Sequence, residues 1–167
     1  DMIADGTFWA TSVAYDLIMN CESGLSALLA DELWSLVGAT ANPQAAGFIL
    51  EMVKTIRGLG GIAVTSTQGM QDLFGLEGGS YGKGILDASR IKLVMQMEEQ
   101  EARLIQDKLN LSEDEVRQIT RFRRGEGLLC IGYNHVPVAF YTTPKEYEAI
   151  TTSPTDLRRE RQGDSDE

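Results

Sequence analysis

Leu28-Leu29-Ala30-Asp31-Glu32-Leu33-Trp34 is the stretch on which the reading of the fold turns. Together with Leu25-Ser26-Ala27 before it, it forms a run of apolar and small residues that stops abruptly at two acids, with Gly24 marking its start. A run of about four to eight such residues between turn signals predicts a buried parallel strand. The two carboxylates then stand at the strand's carboxyl edge, where open α/β sheets bind ligands. An acidic pair opening a solvated loop is the plainer alternative for the same residues.

The sequence on either side supports the strand. Downstream, Asn42 is a good N-cap and Pro43 suits a first helical position, where its missing N–H costs nothing. Phe48, Ile49, Met52, Val53 and Ile56 then form one apolar stripe, which Gly58 should end. After Gly60-Gly61, the segment Ile62 to Thr67 reads as a second strand with Gln68 just past its end. Strand, helix and strand make a βαβ unit with an expected right-handed crossover, so the fold class is α/β with a mainly parallel sheet flanked by helices. Upstream, Thr7 to Asn20 carries Phe8, Trp9, Val13, Leu17 and Ile18 at near-helical spacing and predicts a helix.

Further along, a short amphipathic turn from Met70 to Phe74 leads into Gly75 to Gly84, read as a flexible loop. Ile91 to Met95 predicts a third strand and Glu98 to Asn110 a helix. Ser112 and Glu115 form a capping box in front of another helix, with Leu111 placed to staple against Val116. Gly127 to Gly132 and Val136 to Tyr141, joined by Tyr133-Asn134-His135, predict a C-terminal β-hairpin. Thr143 and Glu146 form a second capping box. One domain over residues 1–156 is expected, with 157–167 a disordered acidic tail ending in Asp164-Ser165-Asp166-Glu167.

Composition narrows the function. The formal charge is −10, which argues against a surface built mainly for nucleic-acid backbones. A local basic channel in an assembly is still compatible with it. No stretch approaches the roughly 20 apolar residues that span a bilayer, and the start has no signal-peptide pattern. The chain begins at Asp1 rather than Met, which suggests an internal piece of a longer protein. Cys21 and Cys130 lie far apart without Cys-x-x-Cys spacing and read as small core residues rather than metal ligands. His135 has no nucleophile partner and reads as an exposed hairpin residue.

The acids carry the chemistry. In P-loop ATPases the first acid of such a pair holds magnesium, usually through water, and the second polarises the attacking water. Gln68, ending the next strand, is placed to contact a γ-phosphate or that water; a turn or capping residue is the alternative. Gly78 to Gly84 is not the phosphate loop, because Glu77 stands where its first glycine belongs and Gly84 replaces its hydroxyl. Arg57 ends the Pro43 helix, where its dipole favours a cation, and it is also a candidate for a phosphate-reaching arginine in its own or a neighbouring subunit. Arg121, Arg123 and Arg124 are ambiguous in the same way.

These residues resemble the conjugal-transfer and type IV secretion ATPases of the VirB-four or TraC/TraE type. The match runs in order through Leu29-Ala30-Asp31-Glu32-Leu33-Trp34, similar to that family's Walker B segment, then Thr67-Gln68 followed by Asp72-Leu73. It continues through Leu111-Ser112-x-x-Glu115, Gly125-Glu126-Gly127-Leu128-Leu129 and Thr143-Pro144-x-Glu146. The resemblance covers nearly the whole chain up to about Asp156. It implies the C-terminal part of a RecA-like P-loop NTPase motor, with ATP and Mg2+ as cofactors and the N-terminal phosphate loop absent. It further implies Asp31 holding magnesium through water, Glu32 as catalytic base and Gln68 as γ-phosphate sensor. The expected setting is a hexamer at the cytoplasmic, inner face of the bacterial cell membrane, attached through other parts of the protein. There it would power channel or pilus assembly and transport of DNA or protein with other channel subunits. Without a Walker A loop, this chain alone should be inactive. A DNA-translocase motor of the FtsK/HerA kind and a non-catalytic docking domain are the rival readings.

Overall fold

In the computed structural model, the structure describes residues 13, 26–38 and 41–151. The first strand, β1, spans Ser26–Ala30 and pairs in parallel with β2, Gly61–Thr65, in the register Ser26↔Gly61 to Ala30↔Thr65. Helix α1, Trp34–Val37, follows the acids directly, and α2, Pro43–Thr55, makes the crossover. As expected, Pro43 opens α2 and the Asn42 side chain accepts a hydrogen bond from the Gln44 N–H at 2.8 Å. The helix does not stop at Gly58. It tightens into a 3-10 turn over Ile56–Leu59 and ends at Gly60, whose φ of 77° closes the turn in the left-handed conformation. The helix expected over Thr7 to Asn20 lies outside the described residues except for Val13, which is helical. Cys21 and the segment 152–167 lie outside them too.

The glycine-rich segment is a correction. Beyond α3, Met70–Leu73, and a 3-10 turn over Leu76–Gly79, residues Ser80–Ala88 form helix α4. Each helical glycine costs about 1 kcal/mol relative to alanine, and the structure shows why two are present. A Cβ on Gly82 would stand 2.2 Å from the Leu73 carbonyl oxygen, and one on Gly84 would stand 2.8 Å from the Leu50 side chain. These glycines are points of close helix approach rather than hinges.

The sheet also departs from expectation. Among the described residues the parallel part has two strands, and β3, Ile91–Met95, belongs instead to an antiparallel sheet ordered β3-β4-β5. Here β4 is Glu126–Ile131 and β5 is Asn134–Ala139. The hairpin is tighter than expected, with Gly132-Tyr133 alone between the paired Ile131 and Asn134. That shift moves His135 out of the turn and into β5. β5 is the outer strand of this sheet, and Pro137 lies within it, paired with Leu128.

β1 was expected to be buried on both faces. Instead one face of each sheet is open among the described residues: Leu29 is 76% exposed, and Ile62, Val64, Ile91, Leu93 and Met95 are exposed as well. The opposite faces build the core. Leu33, Val37, Ala46, Ile49, Met52, Leu73 and Ile85 pack together around α1 and α2. A second cluster joins Val94, Leu128 and Cys130 to α5, Glu99–Leu109, and α6, Glu113–Ile119. Met70 and Phe74 pack against both clusters and so tie the two together. Helix α7, Pro144–Ile150, carries the expected Thr143/Glu146 capping box. No helix among the described residues is long and apolar enough to cross a membrane.

The Ser112/Glu115 capping box is present and does more than cap. Glu115 Oε2 accepts from the Ser112 N–H at 2.7 Å and from its hydroxyl at 2.8 Å, while Oε1 lies 2.7 Å from His135 Nδ1. The His135 side chain is only 9% exposed, which corrects the exposed reading. Burial alone would push the Glu115 carboxyl up, but the hydrogen bonds from Ser112 and then His135 outweigh it and hold it below the usual carboxylate value.

Gly82→Ala should lower stability in urea by about 1–3 kcal/mol through overpacking. Gly58→Ala, where an added Cβ meets nothing within 4 Å, should stay within about 0.5 kcal/mol of the parent. The folded-state pKa of Glu115 is lowered, so its contribution is present above the ordinary value of 4.5 and is lost as pH falls through the lowered one. Acid unfolding curves of Glu115→Gln should therefore lack part of the wild-type destabilisation in that window.

Candidate active site

The site begins where β1 and β2 end. The parallel ladder runs on past both strands, with the Ser66 N–H bonded to the Ala30 carbonyl at 2.9 Å and the Leu33 N–H to the Ser66 carbonyl at 2.8 Å. These bonds place Asp31-Glu32 beside Ser66-Thr67-Gln68, and Leu33, 2% exposed, anchors the turn in the core. Strand periodicity then puts Ser66 and Gln68 on one side and Thr67 on the other.

Glu32 has a φ of 53°, a left-handed conformation that costs a residue with a Cβ roughly 1–2 kcal/mol. The turn is held by the Glu32 N–H on Asp31 Oδ1 at 3.0 Å and by the Ser35 N–H and hydroxyl on the Glu32 carbonyl at 2.9 and 2.8 Å. It carries the Glu32 carboxylate to Gln68, whose Nε2 donates to Oε1. Trp34 Nε1 donates to the other oxygen, Oε2, at 2.7 Å. Asp31 is exposed and takes the Ser66 hydroxyl on Oδ1, while Oδ2 accepts no hydrogen bond among the described residues. One exposed carboxylate with a free oxygen fits magnesium, which keeps most of its water and binds through one or two carboxylates plus phosphate oxygens. Thr67 Oγ1 is buried without a hydrogen-bond partner among the described residues.

The structure thus brings together Asp31, Glu32 and Gln68. It does not bring Arg57 to them. Arg57 lies in the 3-10 turn before β2, at the strand's opposite end, and a five-residue strand is about 17 Å long. Arg121 lines a separate groove of about 520 Å³ between α6 and β5, together with Arg117, Gln118, Phe122, Pro137 and Val138. Arg123 and Arg124 are exposed in the turn that leads into β4. Sequence reasoning gave no role to Ser66 or to the Trp34 N–H. The two-residue spacing of Ser66 and Gln68 is the signal that could have found the first.

No family model matches the chain, and no curated protein matches it. Among solved structures, VirB4 of Thermoanaerobacter pseudethanolicus superposes with a TM-score of 0.76 at 29% identity, over 83% of this chain and 37% of that one. The chain is VirB4-like. It spans little more than a third of the length of that protein. The genome-packaging NTPase B204 of Sulfolobus turreted icosahedral virus 2, in complex with AMP, matches at a TM-score of 0.55 and 15% identity, over 86% of this chain and 63% of that one. The same NTPase with ATP-gammaS gives 0.50 and 16%, over 70% and 52%. At those identities the likeness is one of fold.

The strained turn gives a direct test. Glu32→Gly removes the left-handed penalty and gives up only side-chain bonds near the surface, so stability in urea should rise by up to about 1 kcal/mol. Leu33→Ala, next to it, should cost about 2–5 kcal/mol.

Proposed function

We propose that this VirB4-like chain is part of an ATPase motor that energises type IV secretion. One observation carries the reading: Glu32 and Gln68, from adjacent parallel strands, are in contact at the carboxyl edge, with Asp31 beside them. In the reaction, a water oxygen attacks the γ-phosphorus of ATP, the bond to the ADP oxygen breaks, and Glu32 polarises the water and takes up its proton. Asp31, oriented by Ser66, would hold magnesium through water, and the chemistry such an ion would supply is neutralisation of phosphate charge. The Gln68 amide, in contact with Glu32, would serve as the γ-phosphate sensor.

The rest of the motor must supply what the chain lacks. The first strand of a RecA-like sheet and its phosphate loop belong to that remainder. The uncovered apolar faces around Leu29, Ile62 and Val64 and around Ile91 and Leu93 are surfaces for it to pack on. A phosphate within reach of Arg57 would belong to a neighbouring subunit of a hexamer. The motor works at the cytoplasmic face of the inner membrane with other channel subunits, driving channel or pilus assembly and the transport of DNA or protein.

The whole protein should hydrolyse ATP in the presence of magnesium. Glu32→Gln should lower turnover by at least about 100-fold while leaving nucleotide binding near wild type, measured by phosphate release and by titration with a non-hydrolysable analogue. The chain alone should show neither activity nor tight binding. Unchanged turnover in Glu32→Gln removes Glu32 from the role of base.

A further inference from the structure

We propose that Trp34 is a positioning residue for Glu32: its indole N–H, rather than the bulk of its ring, holds the carboxylate in its working plane. The inference rests on the reading of Glu32 as the base. Both oxygens of Glu32 are engaged from different places, Oε2 by Trp34 at the start of α1 and Oε1 by Gln68 beyond β2. A carboxylate held at both ends cannot turn about its last torsion without losing one of these bonds.

The two donors are not equivalent. The Gln68 amide both donates and accepts, and in the sensor role it turns towards phosphate and loosens its hold on Oε1. The indole N–H only donates and does not ionise near neutral pH, so it cannot compete with Glu32 as acid or base. It is also the better anchored of the two, since Leu33 before it and Val37 in the same helix are buried in the core. When Gln68 leaves, the Trp34 bond is the one that keeps Glu32 in place. Each carboxylate oxygen has a second lone pair, so the clamp leaves room for the attacking water. Orientation needs this help because Glu32 sits in a left-handed turn, where its side chain leaves the strand in an uncommon direction.

The test uses the whole protein. Trp34→Phe keeps an aromatic ring and removes the N–H; kcat should fall about tenfold, the scale of one hydrogen bond to a charged group, with KM for ATP within about twofold. Trp34→Ala should lose no more kcat than Trp34→Phe, because the N–H is what matters. Glu32→Gln should shift the component of the whole protein's tryptophan emission that Trp34→Phe removes, since the charge beside the indole N–H is gone. Wild-type kcat in Trp34→Phe, a rise in kcat, or a loss confined to Trp34→Ala each overturns the inference, as does an unshifted emission spectrum. A wild-type protein without ATPase activity overturns the motor reading and this inference together. An active wild type beside an unimpaired Trp34→Phe overturns this inference alone.

Discussion

The pairing of two short parallel strands, continued by two backbone hydrogen bonds beyond their ends, is the constraint on which the site depends. The Ser66-to-Ala30 and Leu33-to-Ser66 backbone bonds set the relative height of the two strand ends. A slip of one residue would turn Ser66 and Gln68 to the other side of the strand and bring Thr67 towards the acids. The Pro43 helix resists that slip by burying Ala46, Ile49 and Met52 in the cluster that also holds Leu33 and Val37. Packing far from the acids therefore controls which polar side chain meets Glu32.

Around that constraint the site stores a small amount of strain. Glu32 occupies a backbone conformation that glycine would adopt more readily, and neighbouring hydrogen bonds offset the cost. The turn converts a residue that would continue the strand's alternation into one that reaches sideways across the edge. Leu33 closes the turn from below, so two adjacent residues, Glu32 and Leu33, join the chemistry to the core.

Features that depend on local contacts were legible in the sequence. Asn42-Pro43, Ser112 with Glu115 and Thr143 with Glu146 all make their bonds within a few residues, and each is present. The acids at the end of β1 were legible as well, because an apolar run and its abrupt stop lie in one stretch. Contacts between distant segments were not. Gly82 and Gly84 read as flexible until Leu73 and Leu50 are seen against them. His135 read as a turn residue because its place depends on where the hairpin closes, and Gly132 moved that point. The open faces of both sheets could not be read from hydrophobicity, which indicates what prefers burial but not whether a cover is at hand. The Trp34–Glu32 bond stayed hidden because it needs the left-handed turn.

Pro137 gives the antiparallel sheet a direction. A proline has no N–H to offer a newcomer, and it lies in the outer strand of the hairpin, so that margin is poorly suited to recruiting another strand. The margin at Ile91–Met95 carries no such block. Enlargement of this sheet is therefore one-sided. The hairpin acts as its terminus, and a strand from elsewhere, whether from the same polypeptide or another, is steered to the side of β3.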